Sequence, residues 1–587
     1  MKLIKYFSAG LVCLLALTSC EKDFLERSPE VNISDGEFWK TKNDLKLYTN
    51  NFYNNFLPSY QGFFTQGIYG LDADDGTDNM VHLNFNGQIL NGERLVPSSG
   101  GGWSTSEWGR IRNVNYFLQN YTKSTENFEV IKEHVGEAHY FRALLYFDLL
   151  KKFGNLPWID KALTPSDVDF LTAPRVSRGI IADNILADLD KAVLYLPSKG
   201  GSSSNRVYRE VAMALQARIA LYEGTWEKYH AGTVFGVAGS NGDKYLTKAA
   251  TVAKAIMDSG YFDLDNKTTG SNRGYWSLFN QSNYDSSKEI MFWRRYDVAS
   301  NFTNRWAQYG RLGTGKGLTK SLVDDYLCID GKPIGSSSLY QGDATLIDIV
   351  KNRDPRLNQT VCVNDNLHPR TNNRPGGLPN EEFTNPIVDQ ATEDNCSTGF
   401  QRYKGTDPNY VKQFNGMGDA GLIFFRYAEV LLTYAEAKAE LGTITQADLD
   451  LSINKLRDRV QMPNLVLGSI VTDANWGFPA LSPIINEVRR ERRIELAVEG
   501  FRHDDIWRWA AADELIIGKK PLGAKKAQWV GVPNINIYNT NIDGYVEPYK
   551  NVGAMATGYK FRADRDYLLP IPLNQITLAG YTQNPGW

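Results

Sequence analysis

Residues 424–442, FFRYAEVLLTYAEAKAELG, place the tightest constraint on the chain, because their apolar positions recur at helical spacing and mix small side chains with large ones. Ala428, Leu432, Ala435 and Ala439 form one stripe, which Tyr427, Leu431, Tyr434 and Leu441 widen. A helix face built of alanines admits a second helix at close range. Two other stretches offer matching surfaces: Gly136, Tyr140, Ala143, Phe147 and Leu150 in one, and Ala212, Leu215, Ile219 and Tyr222 in the other. Small positions on one helix can receive bulky ones from the next. The pattern predicts a mostly α fold, a helical-repeat scaffold with long irregular segments hung from it.

The same periodicity predicts helices over 34–56, 111–120, 131–152, 178–195, 206–223 and 245–258, and again over 421–441, 447–460, 483–498 and 502–515. Gly154 followed by Pro157 marks a helix stop, and Gly500 a second one. Between 260 and 421 the pattern fades into expected short strands and loops. Residues 58–102, rich in Gly, Asp and Asn, are too long for a mere connector, and long ordered loops commonly carry binding groups. With 13 Trp, 31 Tyr, 27 Phe and 51 Gly, the chain reads as a folded protein with ordered loops, since neither disorder nor a plain bundle uses so many rings. The net charge of -3 offers no bulk attraction to nucleic acid.

Lys2 and Lys5 precede an apolar run, Leu11 to Leu17, that is too short to span a membrane and reads as a signal-peptide core. It ends in Leu17-Thr18-Ser19-Cys20, which resembles a bacterial lipobox. Residues 1–19 are then a removed signal, Cys20 the lipidated first residue, and 20–33 a tether. Glu21-Lys22-Asp23 behind it resembles the surface-export signal of Bacteroidetes lipoproteins and favours the outer face of the outer membrane. Of the remaining cysteines, Cys328, Cys362 and Cys396, the pair Cys362 with Cys396 is the candidate disulfide, and an all-reduced set stays open.

Five segments, taken in order behind the lipobox, resemble the SusD/RagB family of outer-membrane nutrient-binding lipoproteins: EAHYFRALLYFDLLKKFGNLPW (137–158), FRYAEVLLTYAEAKAELG (425–442), INKLRDRVQMP (453–463), ERRIELAVEGFRHDDIWRW (491–509) and YLLPIPLNQITLAGYTQNPGW (567–587). The resemblance implies about four tetratricopeptide-like helix pairs with a loop-rich capping subdomain. It also implies a role as a lid on a SusC-like TonB-dependent porin, to which captured glycans are passed. On this basis 34–587 is one domain. Its scaffold lies mainly in 34–57, 108–260 and 421–515, and its ligand-binding and capping elements mainly in 58–107, 261–420 and 516–587.

A sugar ring presents a C–H face that aromatic rings can cover and an equator of hydroxyls that Asp, Asn and Arg can bind. The family resemblance puts an aromatic platform at Trp103, with Trp108 as neighbour. Asp72, Asp74, Asp75 and Asn79 are the candidate polar partners, with helix capping, solvent exposure or a calcium-bound turn as other uses for the same residues; the spacing does not follow an EF-hand. Trp306, Tyr309 and Tyr296 are further candidate platforms, and Arg356 a further polar contact, against core packing and structural ion pairing. No cofactor is expected.

Motifs for catalysis are incomplete. Residues 310–317, GRLGTGKG, lack the Ser or Thr that a phosphate loop places after its lysine, so a glycine-rich turn is expected. His134 and His139 stand five apart, and neither HExxH nor GxSxG occurs. Glu487 to Glu495, with Arg489, Arg490, Arg492 and Arg493, reads as a helix whose opposite charges pair within the protein or face the porin. The expected function is noncatalytic glycan capture; the alternatives are a surface glycoside hydrolase and a structural lid with no glycan affinity of its own.

Overall fold

The computed structural model describes residues 38–59, 73–201, 205–265, 274–363, 369–382, 395–414, 416–529 and 535–587. The signal segment, Cys20, the tether and Asp72 lie outside them.

The scaffold is a row of helices, each packed on the next. Helices α1 (Lys42–Phe56) and α2 (Thr105–Asn120) both lie against α3 (Phe128–Phe153), which pairs with α4 (Arg178–Tyr195). Next come α5 (Arg209–Tyr229) and α6 (Asp243–Asp258), and α6 in turn meets α7 (Tyr427–Glu440). Helices α8 (Ile453–Arg459) and α9 (Pro483–Glu495) pack on α7, and α10 (Arg502–Arg508) returns to α5. Local signals set the ends. Thr41 with Asp44 and Ser104 with Glu107 form capping boxes at α1 and α2, and α3 stops at Gly154, whose φ of 68° suits glycine.

Glycine sets how closely the pairs approach. A Cβ on Gly136 of α3 would lie 2.9 Å from Leu196 Cγ, just beyond α4, and one on Gly224 of α5 would lie 2.8 Å from the backbone nitrogen of Leu246 in α6. Ala428, Leu432, Ala435 and Ala439 are all buried, as the stripe predicts, but so are Glu429, Glu436 and Glu440 on the other sides of α7.

Several boundaries differ from the sequence expectation. Residues 422–426 begin no helix; they form strand β6, because Phe424 and Phe425 are buried across from an aromatic partner strand. The 447–460 helix breaks at Ser452, and the 502–515 helix ends its first part at Arg508. Strands β1 (Met80–His82) and β3 (Lys316–Leu318), β2 (Ile290–Arg294) and β6 (Leu422–Arg426), and β4 (Pro369–Thr371) and β5 (Glu381–Glu382) form antiparallel pairs. The glycine-rich 310–317 stretch ends in β3, where a Cβ on Gly317 would meet Thr398 Oγ1 at 2.2 Å; the glycine serves close backbone packing.

Helix α9 ties distant segments of the chain together through buried charge. Glu495, fully buried, accepts from Arg459 Nη2 at 2.6 Å and Arg426 Nη1 at 2.7 Å, and from Arg356 Nη1 at 2.9 Å. Burial alone would raise the Glu495 carboxyl; Arg459, Arg426 and Arg356 outweigh it and hold the group well below the usual carboxylate range. Around the same helix Arg490 and Arg493 reach Asp325, Arg492 reaches Asp505, and Arg489 reaches Glu440. The charge pattern therefore pairs within the protein.

A second buried carboxylate behaves oppositely. Glu223 is held by Arg178 through two hydrogen bonds of 2.8 and 2.7 Å, which leaves Glu227, one turn on, bonded by the Ser240 hydroxyl. Burial, and then the Glu223 charge, push the Glu227 carboxyl up to about 7. A raised acid pKa means that the folded state holds the proton longer, so this contribution is full below about 4.5 and is lost as pH rises from there through 7. Glu227→Gln is accordingly expected to be more stable than the parent by about 1–3 kcal/mol at pH 8 and equal to it near pH 4.5, from ~1.4 kcal/mol per pKa unit. Chemical denaturation at the two pH values checks this; an equal gain at both would assign the effect to packing.

Candidate functional site

The aromatic candidates are committed to the interior. Trp103 is 3% exposed, with ring centroids of Trp108, Phe153 and Tyr581 at 5.2, 5.0 and 5.6 Å, so its faces close the end of α3 and the platform expectation is corrected. Tyr296 stacks on Phe302 at 4.9 Å and lies against Ser59 Oγ at 3.3 Å. Trp306, on a short helix Trp306–Leu312, is buried and donates its indole N–H to the Gly405 carbonyl. Tyr309 is buried beside Arg305. Arg356 is 1% exposed and shared between Asp354, Glu491 and Glu495, so it too is structural.

The acidic loop is likewise turned inward. Asp74 accepts from Asn79 Nδ2 at 2.9 Å and from the backbone N–H groups of Val498 and Gly500 at 2.8 and 3.0 Å. Val498 has a φ of 65°, unfavourable for a β-branched residue, and the carboxylate braces that turn. Asn79 also accepts from Arg493 Nε at 2.8 Å. Both side chains thus serve as braces in this structure. Asp75 is half-buried and caps the N–H of Gly76. Cys362 and Cys396 are buried thiols, not a disulfide, and burial pushes the Cys396 thiol up to about 11.

Trp306 borders a cavity of about 50 Å³, lined also by Phe279, Phe424 and Phe501 with Lys404, Arg426 and Glu499. That space admits water and is far below the several hundred Å³ typical of small-molecule pockets, roughly 300–1,000 Å³. Its charges are saturated. Lys404 Nζ donates to Glu499 at 2.6 Å, to Tyr275 at 2.5 Å and to the Ala497 carbonyl at 2.8 Å; burial brings its pKa down to about 8, with Glu499 opposing. Glu499 also takes two hydrogen bonds from Arg426, and Glu429 two from Arg218. Both carboxylates are thus engaged by arginines.

Beyond that cavity the chain builds an outward-facing aromatic ridge that the sequence reading passed over. Tyr410 and Phe414 flank a single 3-10 turn, Val411–Gln413, their centroids 4.4 Å apart and planes at 43°. Phe414 is 38% exposed, Val411 59% and Met417 37%. The one available signal was the pair of rings four residues apart within a proline- and asparagine-bearing loop, DPNYVKQF.

Comparison with known proteins fits this architecture. Residues 254–587 match the SusD family, and residues 23–221 match the family described as starch-binding associating with outer membrane. SusD-like protein P38 of Formosa agariphila is 26% identical over 523 residues, covering 86% of this chain and 91% of that protein. SusD-like protein P2 of the same organism is 24% identical, covering 99% and 100%. A SusD-like carbohydrate binding protein from Bacteroides fragilis superposes with a TM-score of 0.69 at 23% identity, over 92% of this chain and 98% of that one. The chain belongs to the SusD family. Its role is the family's noncatalytic binding of glycans at the outer-membrane surface, in association with SusC-like TonB-dependent transport systems.

Proposed function

We propose that the protein is held on the outer face of the outer membrane by lipid on Cys20, captures oligosaccharides or polysaccharides, and delivers them intact to a SusC-like transporter partner. The observation that carries this is the pair of family matches, which together span nearly the whole chain. Several modest contacts suit transfer better than one deep pocket, since each can release in turn. Carbohydrate binding by the Bacteroides fragilis relative is in keeping with the same reading.

The test uses the full chain, purified in detergent and titrated calorimetrically with purified glycans, with the sugars recovered and sized afterwards. Saturable binding with no shortening of the glycan is expected, and Cys20→Ser is expected to leave the membrane fraction. Shortened products that disappear with one carboxylate substitution would establish a hydrolase. Absence of glycan binding with retained transporter association would establish a structural lid.

A further inference from the structure

We propose that the ridge formed by Tyr410, Phe414, Val411 and Met417 is a binding platform for an uncharged oligosaccharide, which it holds through the C–H faces of the sugar rings; this rests on the glycan-capture reading above.

The first support is exposure. Among the candidate rings of this chain, Trp103, Tyr296, Trp306 and Tyr309 have their faces covered by protein, whereas Phe414 and its aliphatic neighbours Val411 and Met417 remain open. Three exposed apolar side chains on one short stretch of chain, beside a paired tyrosine, offer a surface on which a ligand can rest. The tilt of 43° between Tyr410 and Phe414 makes a shallow angled surface, which a curved chain of rings can follow by resting successive C–H faces on each.

The second support is preorganisation. The loop bearing the ridge is fastened from below at several points. Asn304 and Gly418 exchange backbone hydrogen bonds of 2.7 and 3.0 Å, and the Tyr410 N–H donates to the Asn372 carbonyl at 3.0 Å. Gln413, buried inside the turn, accepts from Thr371 Oγ1 at 2.8 Å and donates to the Asp407 carbonyl at 2.9 Å. The turn also packs on the Trp306–Leu312 helix. Rings held this way lose little freedom when a ligand arrives, so more of the contact energy appears as affinity.

Charge selects the class of ligand. Lys412 sits at the ridge, 2.7 Å from Asp419 and 3.4 Å from Asp407. Lys412 is thus taken up by two carboxylates. A uronate or sulfate approaching it would meet those carboxylates as well, whereas neutral hydroxyls would not be repelled.

The experiment titrates the detergent-purified full chain with maltoheptaose, laminarihexaose, cellohexaose and xylohexaose, and with oligogalacturonate and a sulfated galactan oligosaccharide as charged probes. Tyr410→Ala and Phe414→Ala are each expected to weaken binding of the neutral ligand about tenfold, with an unchanged melting temperature, while Phe414→Trp retains affinity. Neutral-glycan binding that neither alanine substitution weakens would overturn the ridge and leave glycan capture standing. Binding of the charged probes alone would overturn the neutral class. Binding of none of the six would count against the capture reading itself, and the ridge would fall with it.

Discussion

Replacing Glu495 by Gln is expected to lower the stability of the folded chain by about 3–5 kcal/mol, the cost of stripping one partner from a buried ion pair. Three guanidiniums depend on this carboxylate: Arg356 from the short helix Pro355–Thr360, Arg426 from the end of β6 and Arg459 from the end of α8. All three are almost wholly buried, so water cannot replace the lost charge. Glutamine keeps the shape but turns an N–H toward an arginine, which removes attraction and adds a donor without an acceptor. A typical domain has only about 5–15 kcal/mol in hand, so the variant is expected to reach low soluble yield and an early urea midpoint. An exchange costing under about 1 kcal/mol would show that the network is dispensable, as some buried ion pairs are when replaced as a unit. Loss of binding by this variant without loss of stability would instead place Glu495 in ligand recognition.

The same helix shows what the sequence could and could not tell. Opposite charges at helical spacing from Glu487 to Glu495 made both the helix and its ion pairing legible. Its burial was not, because Asp325, Arg356, Arg426 and Arg459 arrive from segments scattered along the chain. Scaffold helices were legible because small and large residues alternate along their faces; α4 and most of α3 fall where periodicity put them. At residues 422–426 the apolar run fits strand or helix equally, and only pairing with β2 decides it. Rings at the candidate site were hardest. Composition counts aromatic residues but does not say which face is covered: Trp103 is closed by Tyr581 from the C-terminal tail, whereas Phe414 is 38% exposed. Asp74 misled for a related reason, since a polar loop that must brace a strained turn at Val498 resembles one built to bind hydroxyls.

Gly242→Ala is expected to cost about 2–4 kcal/mol, from a methyl group in a left-handed backbone position added to overpacking at a helix contact. Gly242 has a φ of 79° and precedes α6; its Cβ would fall 1.9 Å from the Gly224 carbonyl oxygen of α5. The obstacle is backbone, which cannot swing aside as a side chain would. Gly224→Ala meets the Leu246 nitrogen across the same contact and is expected to cost about 1–3 kcal/mol, less than Gly242→Ala because its backbone is helical. The double substitution should cost less than the sum, since one separation of α5 from α6 relieves both clashes. Thermal melts of the two single variants and the double variant check this, and full additivity would mean that the glycines act at independent places. Because each helix in the row rests on its neighbours, opening this pair should also loosen the α6 contact with α7 and, through α7, the adjoining β6 strand. Hydrogen exchange in α7 and β6 of Gly242→Ala should rise along with the local exchange in α6. Protection unchanged outside α5 and α6 would show that the helix pairs are energetically separate, and that the scaffold transmits no strain toward the loops it carries.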